Sequence, residues 1–329
     1  MGVEAILQMK NVKKWYETRV PVKNSRFKSE KKFVKAVDGI NLDVNAGEIL
    51  GVIGESGCGK STLGKLLMLL EEPTAGEILI NGVPSHELYK RNQLEFRRKV
   101  QIIFQNPFDS FDPRNTIATV LLRTLKLHQI GSSKEERLKM IADALEEVGL
   151  KPSHKYMSRY PHELSGGQLQ RISILRAMLL EPEILIADEA VSMLDVSVRA
   201  GIIKLLKKLT EANNTALIFI SHDINTTSYI SDKIAVMYLG EVVEYGLAED
   251  LVERTSHPYT KVLLSNSASI DMKENEAITI SGEPPTPIDH GPGCYFAPRC
   301  YMVQDVCLSK HPKHQSITNH HRASCHFVK

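Results

Sequence analysis

The sequence has no long apolar run. A helix that crosses a bilayer needs roughly 20 consecutive, mostly apolar residues. The longest apolar pieces here are short and strand-like, such as Ile49–Ile53 and Ala216–Ile220. The first residues, MGVEAILQMKNVKK, also lack a basic region followed by an apolar stretch and a small-residue cleavage site. We therefore expect a chain that does not itself cross a membrane and that works in the cytosol.

No sign of charge dominates the sequence either. There are 41 lysines and arginines against 39 aspartates and glutamates, which gives a formal net charge of +2 at pH 7. Dedicated nucleic-acid-binding proteins usually carry a basic surface, so we expect no nucleic-acid partner. The chain has 329 residues, of which 42% are hydrophobic. It can therefore bury a large core and form one large domain plus an appendage.

Cysteine is scarce and unevenly placed. Only Cys58 lies in the first 290 residues, and the other four cysteines lie between residues 294 and 325. Beyond about residue 268 the chain becomes loop-like, and its prolines prevent long helices. We therefore predict a main domain over residues 1–267 and a small cysteine-rich extension over residues 268–329.

Apolar strand-like segments alternate with helix-like segments in the main domain. The strand-like segments include Glu48–Ile53, Ile184–Ala187, Ala216–Ile220 and Lys233–Met237. This alternation indicates an α/β fold with a mixed sheet at its core. In Lys134–Val148 the apolar positions are three and four residues apart, as in a helix. This pattern favours a helical subdomain inserted at about residues 115–180. Residues 17–35 are polar and basic without an apolar period, so we predict a surface insertion there.

A glycine-rich motif indicates a phosphate-binding loop. Residues 54–61 read GESGCGKS, which fits G-x-x-x-x-G-K-[ST] between an apolar strand and a helix. The glycines let backbone N–H groups converge on phosphate oxygens, and the helix N-terminus adds positive partial charge. We expect Lys60 to contact the β- and γ-phosphates and Ser61 to coordinate Mg²⁺. The alternative is a tight glycine-rich turn with an incidental lysine. The predicted phosphate-binding residues are Gly54, Ser56, Gly57, Cys58, Gly59, Lys60, Ser61 and Thr62.

An acidic strand end further along the chain favours the phosphate-binding interpretation. Residues 183–188 read EILIAD, an apolar strand that ends in Asp188. Asp188 can hold the metal ion, and Glu189 can be aimed at a water that attacks the γ-phosphate. The alternative is a solvated strand end without a function. We expect Cys58, inside the loop, to fill space and not to act as a redox group.

Residues 164–168, LSGGQ, extend the pattern to a known family. This pentapeptide lies before a helix, between the phosphate-binding loop and the acidic strand, and resembles the signature of ABC ATPases. Gln105, Asp195 in the segment SMLD, and His222 resemble three further elements of that family. The resemblance implies that Gln105 senses the metal and the attacking water, that the Asp195 loop crosses a dimer interface, and that His222 contacts the γ-phosphate. It also implies that one chain's signature binds nucleotide held by a second chain, through Ser165, Gly166, Gly167 and Gln168.

Within this family the chain resembles the dipeptide and oligopeptide importer branch. The similar segments are QNPF at 105–108, RYPHE at 159–163, HPYT at 257–260, GEPP at 282–285 and GCYF at 293–296. The resemblance implies an ATPase on the cytoplasmic face of the cell membrane that powers peptide import. Its partners would be a second ATPase subunit (a second copy or a related chain), two transmembrane permease subunits and, indirectly, an extracellular peptide-binding protein. Ala190 and Met193 depart from the branch, which usually has proline and alanine at these positions.

The residue that stacks on adenine is predicted less directly. The family places an aromatic residue on an early strand, and Tyr16 in the context KKWY is our choice. The insertion that we predict at residues 17–35 disturbs the usual spacing. The alternative is that Trp15 and Tyr16 form a structural strand end.

The four C-terminal cysteines leave three interpretations open. Cys294, Cys300, Cys307 and Cys325 are separated by 5, 6 and 17 residues. Clustered cysteines in a reducing compartment more often bind metal than form disulfides. Zinc sites usually contain short C-x₂₋₄-C pairs, which are absent here, whereas a [4Fe-4S] cluster accepts four thiolates at varied spacing. The resemblance to peptide-importer ATPases with a tail of this type implies a [4Fe-4S] cluster. We favour such a cluster in a structural role, with Zn²⁺ second and free thiols third.

Histidines lie close to these cysteines in the sequence. We expect them to face solvent because four cysteines already suffice as ligands; they are His311, His314, His320, His321 and His326.

Two functions from other classes compete with transport. A soluble ABC ATPase that acts on DNA or ribosomes usually has two cassettes or a long coiled-coil insertion, and this chain has one cassette with an ordinary insertion. An iron–sulfur sensor with a vestigial nucleotide site is the other alternative. The intact set Lys60, Asp188, Glu189 and His222 argues against it.

Overall fold

The computed structural model describes residues 5–21, 29–268, 282, 285–286, 288 and 290–328. The strands are β1 Leu7–Pro21, β2 Ser29–Val44, β3 Ile49–Ile53, β4 Ala75–Ile80, β5 Val83–Pro84, β6 Val100–Ile103, β7 Ile184–Asp188, β8 Ala216–Ser221, β9 Lys233–Tyr238, β10 Glu241–Leu247, β11 Gln315–Ser316 and β12 Arg322–Ala323. The helices are α1 Lys60–Leu67, α2 Ser85–Arg91, α3 Gln93–Lys99, α4 Ile117–Leu127, α5 Lys134–Glu147, α6 Ser153–Met157, α7 Gly166–Met178, α8 Val196–Ala212, α9 Ile224–Ile230, α10 Ala248–Glu253, α11 Pro258–Ala268 and α12 Asp305–Ser309.

The chain forms two compact units. The first consists mainly of residues 83–219 with the short segment 45–48, and the second of residues 7–44, 49–82 and 220 onward. Among the described residues, no helix combines the length and the apolar character that a membrane span requires.

Amphipathic helices dominate the first unit. α4 packs against α5, and α7 packs against α8. Along α4, Ile117, Leu121 and Leu125 are completely buried and lie four residues apart, which gives the helix one apolar face. α5 confirms the helix predicted within Lys134–Val148, and Ser133 caps it by accepting the Glu136 N–H. In the same unit β6 and β7 pair in parallel.

Two sheets organise the second unit. In one, β1 pairs antiparallel with β2 and with β4. In the other, β3 pairs in parallel with β9, β10 lies antiparallel to β9, and β12 lies antiparallel to β10. β3 is buried at all five positions, as expected for a parallel strand that is covered on both faces. Its carboxyl end leads directly into the glycine-rich loop.

The prediction of a surface insertion between two strands at residues 17–35 was wrong for residues 17–21 and 29–35, which belong to the strands; residues 22–28 lie outside the described residues. β1 continues to Pro21 and β2 begins at Ser29, and the two strands pair residue by residue, with Thr18 opposite Lys32 and Val20 opposite Glu30. Cross-strand backbone hydrogen bonds sustain such a hairpin without a buried face. The side chains therefore show no apolar period from which the strands could be predicted.

Within the second unit, the C-terminal segment (described residues 290–328) is joined to β10 through a buried carboxylate. Glu244 on β10 is completely buried, and its oxygens accept the N–H groups of Ser256 at 2.7 Å and of His257 at 3.1 Å. His321, from the C-terminal segment, lies with Nε2 2.8 Å from the same carboxylate and is only 2% exposed. The prediction that His321 faces solvent was wrong, because a buried carboxylate requires polar partners.

The variant Glu244→Gln should lower the free energy of unfolding at pH 7 by about 1–3 kcal/mol, because buried donors lose a charged acceptor. Burial opposes ionisation of Glu244, but hydrogen bonds from His321 and from the backbone N–H groups of Ser256 and His257 outweigh it and lower the pKa of Glu244. The stabilisation is therefore present above the pKa of an unfolded glutamate and is lost as pH falls through the lower folded-state pKa. Urea unfolding between pH 7 and pH 3 measures this difference.

Glu253→Gln is the matched control, since Glu253 is an exposed glutamate in the same unit. Equal stability losses in the two variants would contradict the assigned role of Glu244.

Candidate nucleotide-binding site

The glycine-rich loop lies between a buried strand and a helix. β3 ends at Ile53, and α1 begins at Lys60, with Gly59 as its capping residue. Loops of this kind point backbone N–H groups, together with the positive end of the helix, at a bound anion. Strand, loop and helix follow the order predicted from the sequence.

Lys60 is folded into this loop. Its side chain is 5% exposed. Its ammonium donates to the carbonyl oxygen of Gly54 at 2.7 Å and to that of Glu55 at 3.0 Å. A buried ammonium needs such acceptors. These carbonyl groups hold the Lys60 ammonium inside the loop. There it can give up a carbonyl oxygen as acceptor and bind a phosphate oxygen in its place.

Close packing explains why the loop is rich in glycine. A Cβ at Gly59 would overlap the carbonyl oxygen of Ala36, and its φ of +107° lies in a region that side chains rarely adopt. The loop is also tied to the turn between β9 and β10, because the Gly240 N–H donates to the Cys58 carbonyl at 2.9 Å. The backbone of the loop is thus enclosed by other backbone segments.

Cys58 lies inside this enclosure. Its side chain is 3% exposed, and its sulfur is 3.8 Å from the Lys60 ammonium. Burial raises the pKa of the Cys58 thiol. A buried, protonated thiol is unreactive, which agrees with the prediction that Cys58 fills space.

Glu55 has contacts that the sequence did not lead us to expect. Its backbone N–H donates to the Tyr259 hydroxyl at 2.8 Å. Its carboxylate forms two bonds with the Arg299 guanidinium, at 2.6 Å and 3.0 Å. Tyr259 and Arg299 were not among the predicted site residues. One signal in the sequence could have pointed to Arg299. An acidic residue in an anion-binding loop needs a cationic partner.

Tyr16 lies beside the helix that follows the loop. Its hydroxyl hydrogen-bonds to the Glu71 carboxylate and interacts with Thr62 in the first turn of α1. Burial and the Glu71 bond raise the pKa of the Tyr16 hydroxyl. Trp15 instead donates its indole N–H to Asp38 at 3.1 Å. Of the two neighbouring aromatics, Tyr16 is the one in contact with α1, and its role in adenine stacking stays a prediction.

Gln105 and Glu189 are brought together at the carboxyl ends of two paired strands. β6 and β7 are in register with Ile103 opposite Ala187, so the residues that follow each strand become neighbours. The Gln105 amide donates to the Glu189 carboxylate at 3.0 Å and to the Ser192 hydroxyl at 3.3 Å. Asp188, predicted to bind the metal, is the last residue of β7.

Glu189 has an unusual backbone conformation. Its φ of +48° places it in the left-handed region, which is uncommon for residues other than glycine and is enriched at functional sites. The Ser192 hydroxyl donates to the Glu189 carbonyl at 2.9 Å and stabilises this turn. The turn follows directly after Asp188 at the end of β7.

The signature segment forms the start of α7. Ser165 is the capping residue, and its hydroxyl accepts the Gln168 N–H at 3.3 Å while the Gln168 side chain accepts the Ser165 N–H at 3.1 Å. This reciprocal capping box fixes the first turn of the helix. Ser165 is exposed, and Gly167 lies so close to Val198 that a Cβ there would contact it at 2.5 Å. The helix start is therefore rigid and accessible.

Asp195 and His222 also lie where elements begin. Asp195 caps α8 by accepting the Val198 N–H at 3.0 Å, and this bond and the Ser197 hydroxyl lower the pKa of Asp195. His222 is exposed between β8 and α9. The cap gives Asp195 a structural role. The roles predicted for Asp195 and His222 at the nucleotide stay predictions.

The four C-terminal cysteines interact with one another. None of them forms a disulfide. Burial raises the pKa of the Cys294 thiol to about 11, and the nearby Cys307 and Cys300 thiols act in the same direction. Backbone N–H groups point at two of the sulfurs, from Met302 to Cys300 and from Phe327 to Cys325, both at 3.4 Å.

In the described residues these four thiols do not form a complete set of metal ligands. Over the described ranges, no three histidine, cysteine, aspartate or glutamate side chains are arranged to hold a metal ion. The thiol chemistry suits iron–sulfur or zinc, but the arrangement by itself identifies neither.

Comparison with known proteins identifies the family. Residues 37–192 match the ABC transporter family model, and residues 243–307 match the oligopeptide/dipeptide transporter C-terminal region. The oligopeptide transport ATP-binding protein AppF of Bacillus subtilis is 39% identical over 98% of this chain and 98% of its own length. The chain belongs to the ABC transporter family. The dipeptide transport ATP-binding protein DppF of Haemophilus influenzae is 40% identical to this ABC protein over 98% of this chain and 97% of its own.

Solved structures of ABC cassettes have the same fold. The ATP-binding cassette MJ0796, in a dimeric post-hydrolysis structure bound to ADP and Pi, matches with a TM-score of 0.62 and 30% identity, over 74% of this chain and 98% of its own. The cbiO1 protein of Clostridium perfringens matches in fold with a TM-score of 0.63 and 22% identity, over 82% and 96%. The predicted ABC ATPase cassette fold is confirmed.

Gly59→Ala should weaken nucleotide binding by this ABC protein at least tenfold, because the added Cβ forces the loop away from Ala36. Gly57→Ala is the matched control. It shares the positive φ, at +80°, but a Cβ there has no atom within 4 Å. Both variants bear about 1–2 kcal/mol of backbone strain, and only Gly59→Ala adds the overlap. Titration with a fluorescent ATP analogue measures the two affinities, and equal losses would contradict this account of the loop.

Proposed function

We propose that this ABC protein hydrolyses ATP and that hydrolysis powers the import of dipeptides and oligopeptides through membrane-embedded partner subunits. One observation carries the proposal: a single chain combines the ABC domain with the oligopeptide/dipeptide transporter C-terminal region, and peptide-transport relatives match it along almost its full length. The buried Lys60 and the contact between Gln105 and Glu189 support a working ATPase site.

Binding of the triphosphate follows from the chemistry of the loop. Lys60 would bind the β- and γ-phosphates, and Tyr16 would stack on adenine. Further contacts would come from backbone and hydroxyl groups of Gly54, Ser56, Gly57, Cys58, Gly59, Ser61 and Thr62. Mg²⁺ would be held by Ser61, Asp188 and Gln105, whose hydroxyl, carboxylate and amide oxygens are the hard ligands that it prefers. When bound, Mg²⁺ neutralises charge on the phosphates.

The chemical step needs a water aligned with the γ-phosphate. Glu189 would orient this water and accept its proton as a general base. Gln105, which already donates to the Glu189 carboxylate, would hold that carboxylate in place and report nucleotide to the transporter. His222 would donate to the γ-phosphate and stabilise the charge that develops there.

A second cassette would complete the site. The exposed start of α7 offers Ser165, Gly166, Gly167 and Gln168 to phosphate, and Asp195 would lie at the shared interface. A chain with two phosphate-binding helix starts can give one to its own nucleotide and one to its partner's. The related cassette MJ0796 is dimeric when bound to ADP and Pi. The second cassette is either another copy of this chain or a related chain.

The remaining partners follow from the importer branch. We propose two transmembrane permease subunits and, indirectly, an extracellular peptide-binding protein, with this chain held peripherally at the cytoplasmic face of the cell membrane and no nucleic-acid partner. We also propose that residues 1–267 form the cassette, with its helical subdomain at about 115–180, and that residues 268–329 form the extension.

We further propose that Cys294, Cys300, Cys307 and Cys325 bind a [4Fe-4S] cluster, with Zn²⁺ as the alternative. Four thiols in one segment, two of them approached by backbone N–H groups directed at sulfur, support this assignment. The segment does not depend on a cluster for its packing, because β12 pairs with β10 and Phe296 is buried in the core of the second unit. The proposal therefore rests on the thiol donor set.

Glu189→Gln should abolish ATP turnover and keep ATP affinity, because it removes a general base and leaves the phosphate-binding groups intact. With ATP and Mg²⁺ it should accumulate as a dimer, alone or mixed with its partner chain. Lys60→Ala should instead weaken binding itself. Phosphate release, nucleotide titration and light scattering measure the three properties. Glu211→Gln, on the exposed face of α8, is the control.

The same variants test transport in the cells that produce this protein. Cells whose only copy carries Glu189→Gln should lose uptake of labelled peptides, and the wild-type chain should restore it. Normal hydrolysis by Glu189→Gln would remove this residue from the role of base. Normal peptide uptake by cells whose only copy is a hydrolysis-deficient Glu189→Gln protein would mean that the cargo is not a peptide.

Protein purified without oxygen should be brown and contain about four irons per chain if the cluster is present. Cys300→Ser should bleach the colour, whereas Cys58→Ser, outside the C-terminal segment, should not. Colourless anaerobic protein with one zinc per chain would establish the alternative, and protein with neither metal would leave the thiols free.

A further inference from the structure

The phosphate-binding loop contains a negative charge that lies close to the binding groups. Glu55 directly follows Gly54, and its carbonyl oxygen accepts the same Lys60 ammonium that is expected to bind phosphate. A carboxylate in this position repels a nucleotide that carries several negative charges. The loop therefore needs a second cation, besides Lys60, to neutralise the carboxylate.

Arg299 supplies this cation. Its two terminal nitrogens bind the two carboxylate oxygens of Glu55, at 2.6 Å and 3.0 Å. The Arg299 side chain is 6% exposed and that of Glu55 is 28% exposed. A two-pronged pair of this kind fixes geometry as well as charge, and burial protects it from screening by salt.

Every polar group of Glu55 has a partner in the second unit. The backbone N–H donates to the Tyr259 hydroxyl. The carbonyl oxygen accepts the Cys58 N–H at 3.3 Å and the Lys60 ammonium at 3.0 Å. With Arg299 on the carboxylate, Glu55 is the residue through which segments from outside the loop hold it in shape.

Arg299 is itself held in place by the fold of the C-terminal segment. It ends a single helical turn, Ala297–Arg299, and its N–H donates to the Phe296 carbonyl at 3.0 Å. Phe296 is 1% exposed and packs edge-on against Tyr238, with ring centroids 5.2 Å apart. The guanidinium carbon lies 5.9 Å from the Tyr238 ring centre. The arginine is thus preorganised and is not a flexible surface side chain.

We propose that Arg299 is a positioning residue for nucleotide binding: by neutralising and orienting Glu55, the C-terminal segment sets the affinity of the phosphate-binding loop for ATP. The inference rests on the proposed ATPase function. It gives the C-terminal segment a part in ATP binding whichever metal, if any, the cysteines bind. Since Arg299 adjoins Cys300, changes at the cysteines would reach the loop through the Arg299 side chain.

The test measures affinity of the full-length chain for a fluorescent ATP analogue with Mg²⁺. Arg299→Ala leaves the Glu55 carboxylate without its partner, and the affinity should fall about tenfold, with a larger loss at low ionic strength than at high. The KM for ATP should rise while turnover at saturating ATP changes little. Arg299→Lys should lose less, because it keeps the charge but not the two-pronged geometry.

The decisive variant removes both charges. In Arg299→Ala/Glu55→Gln the repulsive carboxylate is absent, so most of the lost affinity should return even though the tail has lost its contact. If Arg299 only attaches the tail, the double variant should bind as weakly as the single one, and the proposal is overturned. Wild-type affinity in Arg299→Ala would overturn it as well.

Arg322→Ala is the control for general loosening of the segment. Arg322 donates to the Asn41 carbonyl at 2.6 Å and has no contact with the loop among the described residues. It should lower thermal stability without changing the salt dependence of ATP affinity, and an affinity loss equal to that of Arg299→Ala would count against the proposal. Failure of the wild-type chain to bind ATP would instead refute the proposed function.

Discussion

A loop that binds phosphate through its own backbone cannot fill the space around that backbone with side chains. Gly59 shows this constraint, because any larger residue would overlap Ala36. The loop therefore lacks the side-chain packing that usually keeps a segment in shape, and other parts of the chain must hold it. Gly240 donates to its Cys58 carbonyl, and Tyr259 and Arg299 hold Glu55.

The side chains proposed for catalysis depend on a different constraint. Two parallel strands in register carry the residues that follow them to the same edge of a sheet. Gln105 after β6 and Glu189 after β7 meet in this way, although 84 positions separate them in the chain. Glu189 itself lies in a left-handed turn, with a φ of +48°. The contact between Gln105 and Glu189 is thus a consequence of strand register.

The C-terminal segment shows how a proline-rich stretch can be ordered by docking. β12 extends a sheet of the second unit, Phe296 enters its core, and His321 meets the buried Glu244. These contacts replace the crosslink or metal that a short, polar segment would otherwise need. They also bring Arg299 to the phosphate-binding loop. The Glu55–Arg299 ion pair therefore joins this segment to the phosphate-binding loop.

The sequence by itself determined the motifs whose chemistry depends on near neighbours. The glycine-rich loop, the apolar strand ending in Asp188 and the helix start at Ser165 were predictable because a few adjacent residues dictate a turn, a strand or a cap. The helix in Lys134–Val148 was predictable from its period for the same reason. The outer part of the β1–β2 hairpin, over residues 17–21 and 29–35, was not, because none of its described side chains is buried and no apolar period marks the strands. Only the tertiary structure decided that Glu55 is neutralised by Arg299, 244 residues away, since an ion pair between distant segments depends on how the chain folds and leaves no local pattern in the sequence.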